Sequence, residues 1–199
     1  VPDIKCGTTT ATTNPSRATW NSWERNGQSF RAITDTELMC FTRYCLGRRG
    51  RIAVDAGCGN GAFTLQLHRF GFDVTGLDFA EEPLRAARRK PLPDARYLHY
   101  DLDHGDPPGL LPRGIDLVVC RLVLPYLSQP YAWVRRVRDH WLSCGGRLYL
   151  VIPIVDEHAA QPGGMTEREI VDLSQGWGSS VRYDLRGPLA CLVLGTAGT

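Results

Sequence analysis

Three acidic residues and a run of glycines hold most of the chemistry this sequence can do. Asp55 is followed by Gly57, Gly59 and Gly61 on alternate positions. An apolar run, Ile52-Ala53-Val54, precedes them, and a helical pattern of Phe63, Leu65, Leu67 and Phe70 follows. Strand, glycine turn and helix in that order make the first half of a nucleotide-binding unit. Residues without a Cβ let the backbone turn sharply and approach a ligand closely. The helix that starts beneath the turn presents free N–H groups to that ligand. Asp78 closes a second short strand, 73–78, where a carboxylate can accept from two ribose hydroxyls. Phe79 comes next, either as a platform for a base or as an ordinary sheet-edge aromatic. Asp101 closes a third alternating stretch, 96–101, and Leu102 follows it.

The glycine turn has two readings. Gly57-x-Gly59-x-x-Ala62 fits the dinucleotide fingerprint. Asp55-x-Gly57-x-Gly59-x-Gly61 resembles motif I of the class I S-adenosylmethionine-dependent methyltransferases. The acid two residues before the first glycine suits a ligand with an ammonium group and repels a pyrophosphate. Residues 115–120 resemble that family's fourth strand, and 142–150 resemble its "L-x-x-G-G-x-L-h-h" turn and fifth strand. The resemblance runs from about residue 34 to 194. It implies a Rossmann-like α/β three-layer sandwich, with a mostly parallel seven-stranded sheet and an antiparallel last strand.

It also implies S-adenosyl-L-methionine as cofactor, held by Asp55, Gly57, Gly59, Asp78, Phe79, Asp101, Leu102 and Arg121. Asp101 would accept from the adenine amino group with Leu102 packed nearby, and Arg121 would reach the methionine carboxylate. A surface arginine at a strand end is the other reading of Arg121. Tyr126, after strand four, is a substrate-pocket candidate. Strand carboxyl ends frame the site in such folds, so His158 is the first candidate for a base, with Asp156 or Glu157 to orient it. His104 and Tyr126 come next. No Asn/Asp-Pro-Pro-Tyr follows strand four, so amino-group methylation of adenine or glutamine is not suggested. The acceptor expected is a small molecule, through O, N, S or C. A non-catalytic cofactor-binding or scaffold protein is a second reading. An NAD-dependent reductase is a third, and it assigns no role to Asp101.

The elements that must position these residues follow in order. Residues 1–16 read as a flexible tail. From 17 to about 47 the chain is amphipathic, with Trp20, Trp23, Phe30, Ile33, Leu38, Met39, Phe41, Tyr44 and Leu46. These residues either cover a sheet face as core, or Trp20 and Trp23 close over the ligand as a helical lid; the core reading is preferred. A helix starts near Thr34 or Asp35 with Glu37 in its first turn. In the helix over 81–90, acids come first and Arg85, Arg88, Arg89 and Lys90 last, a solvated face that complements its dipole. Pro130 opens another helix, with a stripe of Trp133, Val134, Val137 and Trp141. Residues 143–146 turn the chain into strand five. Residues 155–164 are a loop, 166–173 a short capped helix, and 179–184 with 189–194 a closing hairpin.

The chain has 199 residues, 43% hydrophobic and 22% charged, with a formal charge of +2. That is one domain with a proper core and no global attraction to nucleic acid. The only lysines are Lys5 and Lys90, an arginine bias that reads as GC-rich bacterial coding, and bacterial secondary metabolism is the expected setting. The seven cysteines are scattered and form no CxxC pair, so neither a metal site nor a disulfide framework is indicated, and a reducing cytoplasm fits. No apolar run reaches membrane-span length and no signal-peptide pattern opens the chain. Nothing in the pattern specifies an oligomeric state.

Overall fold

The computed structural model describes residues 15–27, 31–46, 52–90, 96–156 and 163–197. Short apolar runs alternate with helical stripes, and they assemble as a sheet covered on both faces. The strands are β1 (Ile52–Ala56), β2 (Asp73–Asp78), β3 (Arg96–His99), β4 (Ile115–Arg121), β5 (Leu142–Pro153), β6 (Ser179–Leu185) and β7 (Leu189–Gly195). Their order is β3-β2-β1-β4-β5-β7-β6. β1 to β5 are mutually parallel, and β7 runs antiparallel to both β5 and β6. This is the expected mostly parallel sheet with an antiparallel last strand.

The helices are α1 (Arg17–Arg25), α2 (Asp35–Cys45), α3 (Ala62–Arg69), α4 (Glu81–Arg88), α5 (Pro130–Arg136) and α6 (Glu167–Asp172). Neighbouring residues of β4 and β5 point to opposite faces, as a strand's two-residue period requires. On one face Val119, Tyr149 and Val151 meet Phe41 of α2 and Phe63 and Leu67 of α3. On the other Val118, Leu150 and Ile152 meet Trp133 of α5 and Ile170 of α6. α4 covers β2 and β3.

The caps are those the sequence indicates. The Thr34 hydroxyl accepts from the Glu37 N–H at 3.2 Å, and Thr166 with Glu169 forms a capping box. The sequence places a turn at 143–146; the structure absorbs it into β5 as an irregularity, where pairing jumps from Ile115↔Leu142 to Leu117↔Arg147. α5 runs on as a wide π turn, Val137–Trp141. There the Trp141 indole N–H donates to Asp106 at 2.7 Å and fixes the loop ahead of β4.

The aromatic segment before β1 divides in two. Phe41 is fully buried, its ring centroid 5.4 Å from Phe63 and 5.2 Å from Tyr149. Ile33, Tyr44 and Leu46 pack beside it, while Met39 is exposed. Trp20 and Trp23 belong to neither core cluster, which corrects the core expectation for those two, and Phe30 lies outside the described residues. The tail expected at 1–16 lies outside them as far as residue 14. Removing the Phe41 ring opens a cavity between α2 and the sheet. Phe41→Ala is expected to lower unfolding free energy by about 3–5 kcal/mol in a urea titration; a loss below about 1 kcal/mol would mean that α2 is not part of the core.

Candidate functional site

All five parallel strands point their carboxyl ends to one edge, and the strand order reverses between β1 and β4. That switch point opens a crevice in the sheet. The glycine turn fills its floor. The N–H groups of Gly57 and Cys58 both donate to the Leu77 carbonyl of β2, at 2.7 and 2.9 Å. Gly57 has φ +74, and a Cβ there would run into the Val123 side chain. Gly59 has φ +53, and a Cβ there would meet nothing within 4 Å. The first glycine is thus required by packing, and the second leaves a cradle that a ligand can fill.

The acids stand around this turn. Asp55, on β1, is 1% exposed, and its Oδ2 accepts from the Thr64 hydroxyl of α3 at 2.6 Å. Burial pushes its carboxyl up to about 6, and the Asp78 charge adds to the rise; the Thr64 hydrogen bond and Arg121 pull the other way. Asp78 is fixed from two sides, accepting from Gly59 N–H at 2.8 Å and Ala80 N–H at 2.8 Å. Burial raises its pKa, against the pull of those backbone donors. Asp101 caps a 3₁₀ turn, Leu102–His104, by accepting from Asp103 N–H at 3.1 Å. Asp103 then accepts from the Ser128 hydroxyl at 2.7 Å, which ties this turn to the segment after β4.

Arg121 ends β4. Its Nε donates to Glu37 Oε1 at 2.6 Å and its Nη2 to Glu37 Oε2 at 3.1 Å. Nη2 also donates to the Ala32 carbonyl at 3.2 Å. Glu37 is 2% exposed, and its own carbonyl accepts from the Tyr149 hydroxyl at 3.4 Å. This corrects the expectation of Arg121 as a cation available to a ligand carboxylate, because a buried carboxylate must have a partner and Glu37 takes this one. Glu37 was legible only as a first-turn acid. Yet Glu37, Phe41 and Cys45 share one buried stripe of α2, and a charge on such a stripe signals a buried pair.

A cavity of about 600 Å³ joins these parts. Its wall contains Asp55, Gly57, Gly59, Asp78, Phe79, Asp101, Leu102 and Arg121, and also Tyr126. Its described cations are Arg121 and the exposed Arg31, which sequence reasoning missed. Trp20 and Trp23 of α1 complete the wall. α1 buries no residue of its own; Asn21 accepts from the Glu82 N–H at 3.0 Å, and the Arg17 guanidinium lies 5.7 Å from the Phe79 ring centroid. Among the described residues no histidine lines the cavity. His104 is 73% exposed, its Nδ1 3.4 Å from Asp101, and it is not part of the wall, nor is Asp156. Glu157 and His158 lie outside the described residues.

Such an arrangement suits a ligand with a cation at one end and hydroxyls and a flat base at the other. A pyrophosphate over the turn would face the buried Asp55 carboxylate. Residues 54–148 match the family described as a methyltransferase domain. Over 111 residues the chain is 32% identical to the ubiquinone biosynthesis O-methyltransferase of Photobacterium profundum, covering 54% of this chain and 47% of that one. The chain thus spans about half the length of that curated relative. A solved SAM-dependent methyltransferase from Aquifex aeolicus superposes with TM-score 0.68 at 16% identity, covering 83% of this chain and 91% of its own. The 1,6-didemethyltoxoflavin-N1-methyltransferase of Burkholderia thailandensis gives 0.67 at 18% identity, covering 91% and 87%. The chain has the fold of the class I S-adenosylmethionine-dependent methyltransferases, and its residues 54–148 are similar to a methyltransferase domain.

Two outcomes test this geometry without any ligand. Glu37→Ala leaves the largely buried Arg121 guanidinium without its carboxylate partner, and is expected to cost about 3–5 kcal/mol in urea unfolding. The double variant Glu37→Leu/Arg121→Met should recover much of that loss, whereas equal losses would mean the pair does not act as a unit. The second concerns Asp55. Between about pH 4 and 6 the folded protein holds a proton on Asp55 that the unfolded chain releases, so its contribution to stability falls as pH rises through that window. The Tm difference between the wild type and Asp55→Asn should therefore move against the wild type from pH 4.5 to 6.5; a constant difference would refute the raised pKa.

Proposed function

We propose that this protein binds S-adenosylmethionine and transfers its methyl group to a small-molecule acceptor. The observation that carries the reading is the single cavity wall that unites the acids after β1, β2 and β3 with the glycine turn. When bound, this cofactor supplies an electrophilic methyl carbon on a positively charged sulfur. Asp55 meets the ammonium group, Asp78 the ribose hydroxyls, and Asp101 the adenine amino group. Phe79 and Leu102 pack on the base. Gly57 and Gly59 keep the floor low enough for close approach. Arg31 takes the carboxylate, and Arg121 holds the wall in place through Glu37. Trp20 and Trp23 make α1 a lid that excludes water. The protein's contribution is chiefly orientation and desolvation.

Similarity to an O-methyltransferase supports oxygen as the acceptor atom. His158 is the residue to test for proton removal, since His158→Ala should slow turnover without weakening cofactor binding; an unchanged rate removes it from the mechanism. The net charge of +2 disfavours nucleic acid as the acceptor. No helix among the described residues is long and apolar enough to cross a membrane. Six cysteines among those residues are in no disulfide, which favours a reducing cytoplasm, and bacterial secondary metabolism is the setting we propose. One observation supports a non-catalytic binder as the second reading: the described wall carries no histidine.

Calorimetry with S-adenosylmethionine, S-adenosylhomocysteine and NAD tests the cofactor. Micromolar-range binding of the first two is expected, weakened at least tenfold in Asp78→Ala and about tenfold in Arg31→Ala, at 1.4 kcal/mol per decade. Binding of NAD alone would overturn the reading. An ammonium ligand needs Asp55 ionised, so affinity for S-adenosylmethionine should fall as pH drops from 7 to 5 and lose that dependence in Asp55→Asn. Conversion of S-adenosylmethionine to S-adenosylhomocysteine with an acceptor separates the enzyme from the binder.

A further inference from the structure

We propose that Asn21 is a positioning residue that latches α1 over the cofactor site by supplying the N-terminal cap that α4 lacks; this rests on the cofactor reading above. α4 begins at Glu81, three residues beyond Asp78, and its N-cap position is Ala80. Alanine has no acceptor to offer, so the helix starts without a side-chain cap of its own. A cap ordinarily serves the N–H of the second or third helical residue. The third here is Pro83, which has no N–H. The Leu84 N–H is spent on the Ala80 carbonyl at 3.4 Å. The Glu82 N–H is therefore the donor that a cap must satisfy. Its acceptor comes from 61 residues away, Asn21 Oδ1 at 3.0 Å. Asparagine is among the residue types that cap best.

This bond ties α1 to the cofactor side of the crevice. The N–H groups of Ala80 and Gly59 hold the Asp78 carboxylate, so the helix start that Asn21 caps is continuous with Asp78 and Phe79. A turn before Asn21, the Arg17 guanidinium lies over the Phe79 ring. A turn after it, Glu24 stands in the cavity wall. The Glu24 charge acts on Lys90, just past the far end of α4, and Lys90 Nζ donates to Asn60 Oδ1 of the glycine turn at 3.4 Å. Burial lowers the Lys90 pKa, and Glu24 pulls it back up.

Arg17, Asn21 and Glu24 thus recur at helical spacing on one side of α1, and each acts on an element that frames the cofactor site. Asn21 itself is not in the cavity wall, whereas its neighbours Trp20 and Trp23 are. It therefore acts on the cofactor through the placement of α1 and not by contact. α1 buries no residue of its own, so a single capping bond weighs more here than it would in a core helix.

The test is the release rate of S-adenosylhomocysteine from the full chain, followed by surface plasmon resonance. Asn21→Leu keeps roughly the size of the side chain and removes the acceptor. Asn21→Asp keeps an acceptor, at a helix end that favours negative charge. Release from Asn21→Leu is expected to be about fivefold faster than from the wild type, about 1 kcal/mol at 1.4 kcal/mol per decade, and release from Asn21→Asp within about twofold of it. Amide exchange at Glu82, measured without ligand, should speed up in Asn21→Leu alone. The urea midpoint should stay the same in both variants, because α1 adds no buried residue to the core. Unchanged release in Asn21→Leu, equal acceleration in both variants, or acceleration matched by an equal loss of global stability overturns the latch while leaving the cofactor reading intact. Failure of S-adenosylhomocysteine to bind the wild type overturns the cofactor reading, and the latch with it.

Discussion

Asp55 is an ionisable group with almost no contact with water, placed where the sheet's neighbours diverge. Everything around it answers that burial. Thr64 reaches across from α3 to give it one hydrogen bond, and Arg121 lends a positive field from the next strand. Neither is enough, because Asp78 stands close and is itself buried, and because the charge of Arg121 is already balanced by Glu37. Taken together, Asp55, Asp78, Asp101, Glu37 and Arg121 leave the crevice negative. What Asp55 lacks is a cation of its own, since Arg121 is engaged by Glu37. A ligand that brings one finds the desolvation of the acids already met in folding, with no reorganisation required at the moment of binding.

The same electrostatics divide the N-terminal segment into two mechanical parts. α2 is wall: the carboxylate of Glu37 fixes it to β4, its carbonyl fixes it to β5 through Tyr149, and Phe41 sinks into the sheet face. These contacts are buried and mutually dependent, so α2 cannot leave without unpairing a charge. α1 has no such commitment. It rests on α4 through an amide on a helix N-terminus, on Phe79 through a cation over a ring, and on Tyr126 through Trp20. With no buried residue of its own, it lies toward the less stable end of the structure, where elements that open and close over ligands are found.

The sheet order, the glycine turn and the acids after β1, β2 and β3 were legible because each rests on local pattern. An apolar run, an acid and a φ that glycine favours follow one another in the chain, and the parallel sheet then has few ways to arrange them. What escaped was non-local. Arg121 looks like an available cation in one dimension, and only the folded chain brings Glu37 to it from 84 residues away. Trp20 and Trp23 fit a core pattern as well as Phe41 does, and nothing in their spacing says that α1 lacks a sheet face to cover. Residues 143–146 break regular pairing inside β5 rather than before it, since a bulge and a turn draw on the same residues.

Leu122 shows how the wall is held under tension. It is not a glycine, yet its φ is +61, and it is 3% exposed. A left-handed backbone at a bulky residue costs about 1–2 kcal/mol. The cost is met on every side of it. Arg121 before it is clamped by Glu37; its own N–H donates to the Val151 carbonyl at 2.8 Å; and Val123 after it packs hard against Gly57. The side chain adds the hydrophobic contact of a buried leucine. An ordinary φ here would carry the chain straight on from β4 and take Val123 and Tyr126 away from the cavity. The strained residue turns it instead, so that the segment after β4 faces the glycine turn. Gly57 is therefore needed twice over, once for its own φ and once because Val123 occupies the place its side chain would need. The shape of the cavity thus follows from a contact between two loops, and the glycine motif and the segment after β4 are parts of one constraint.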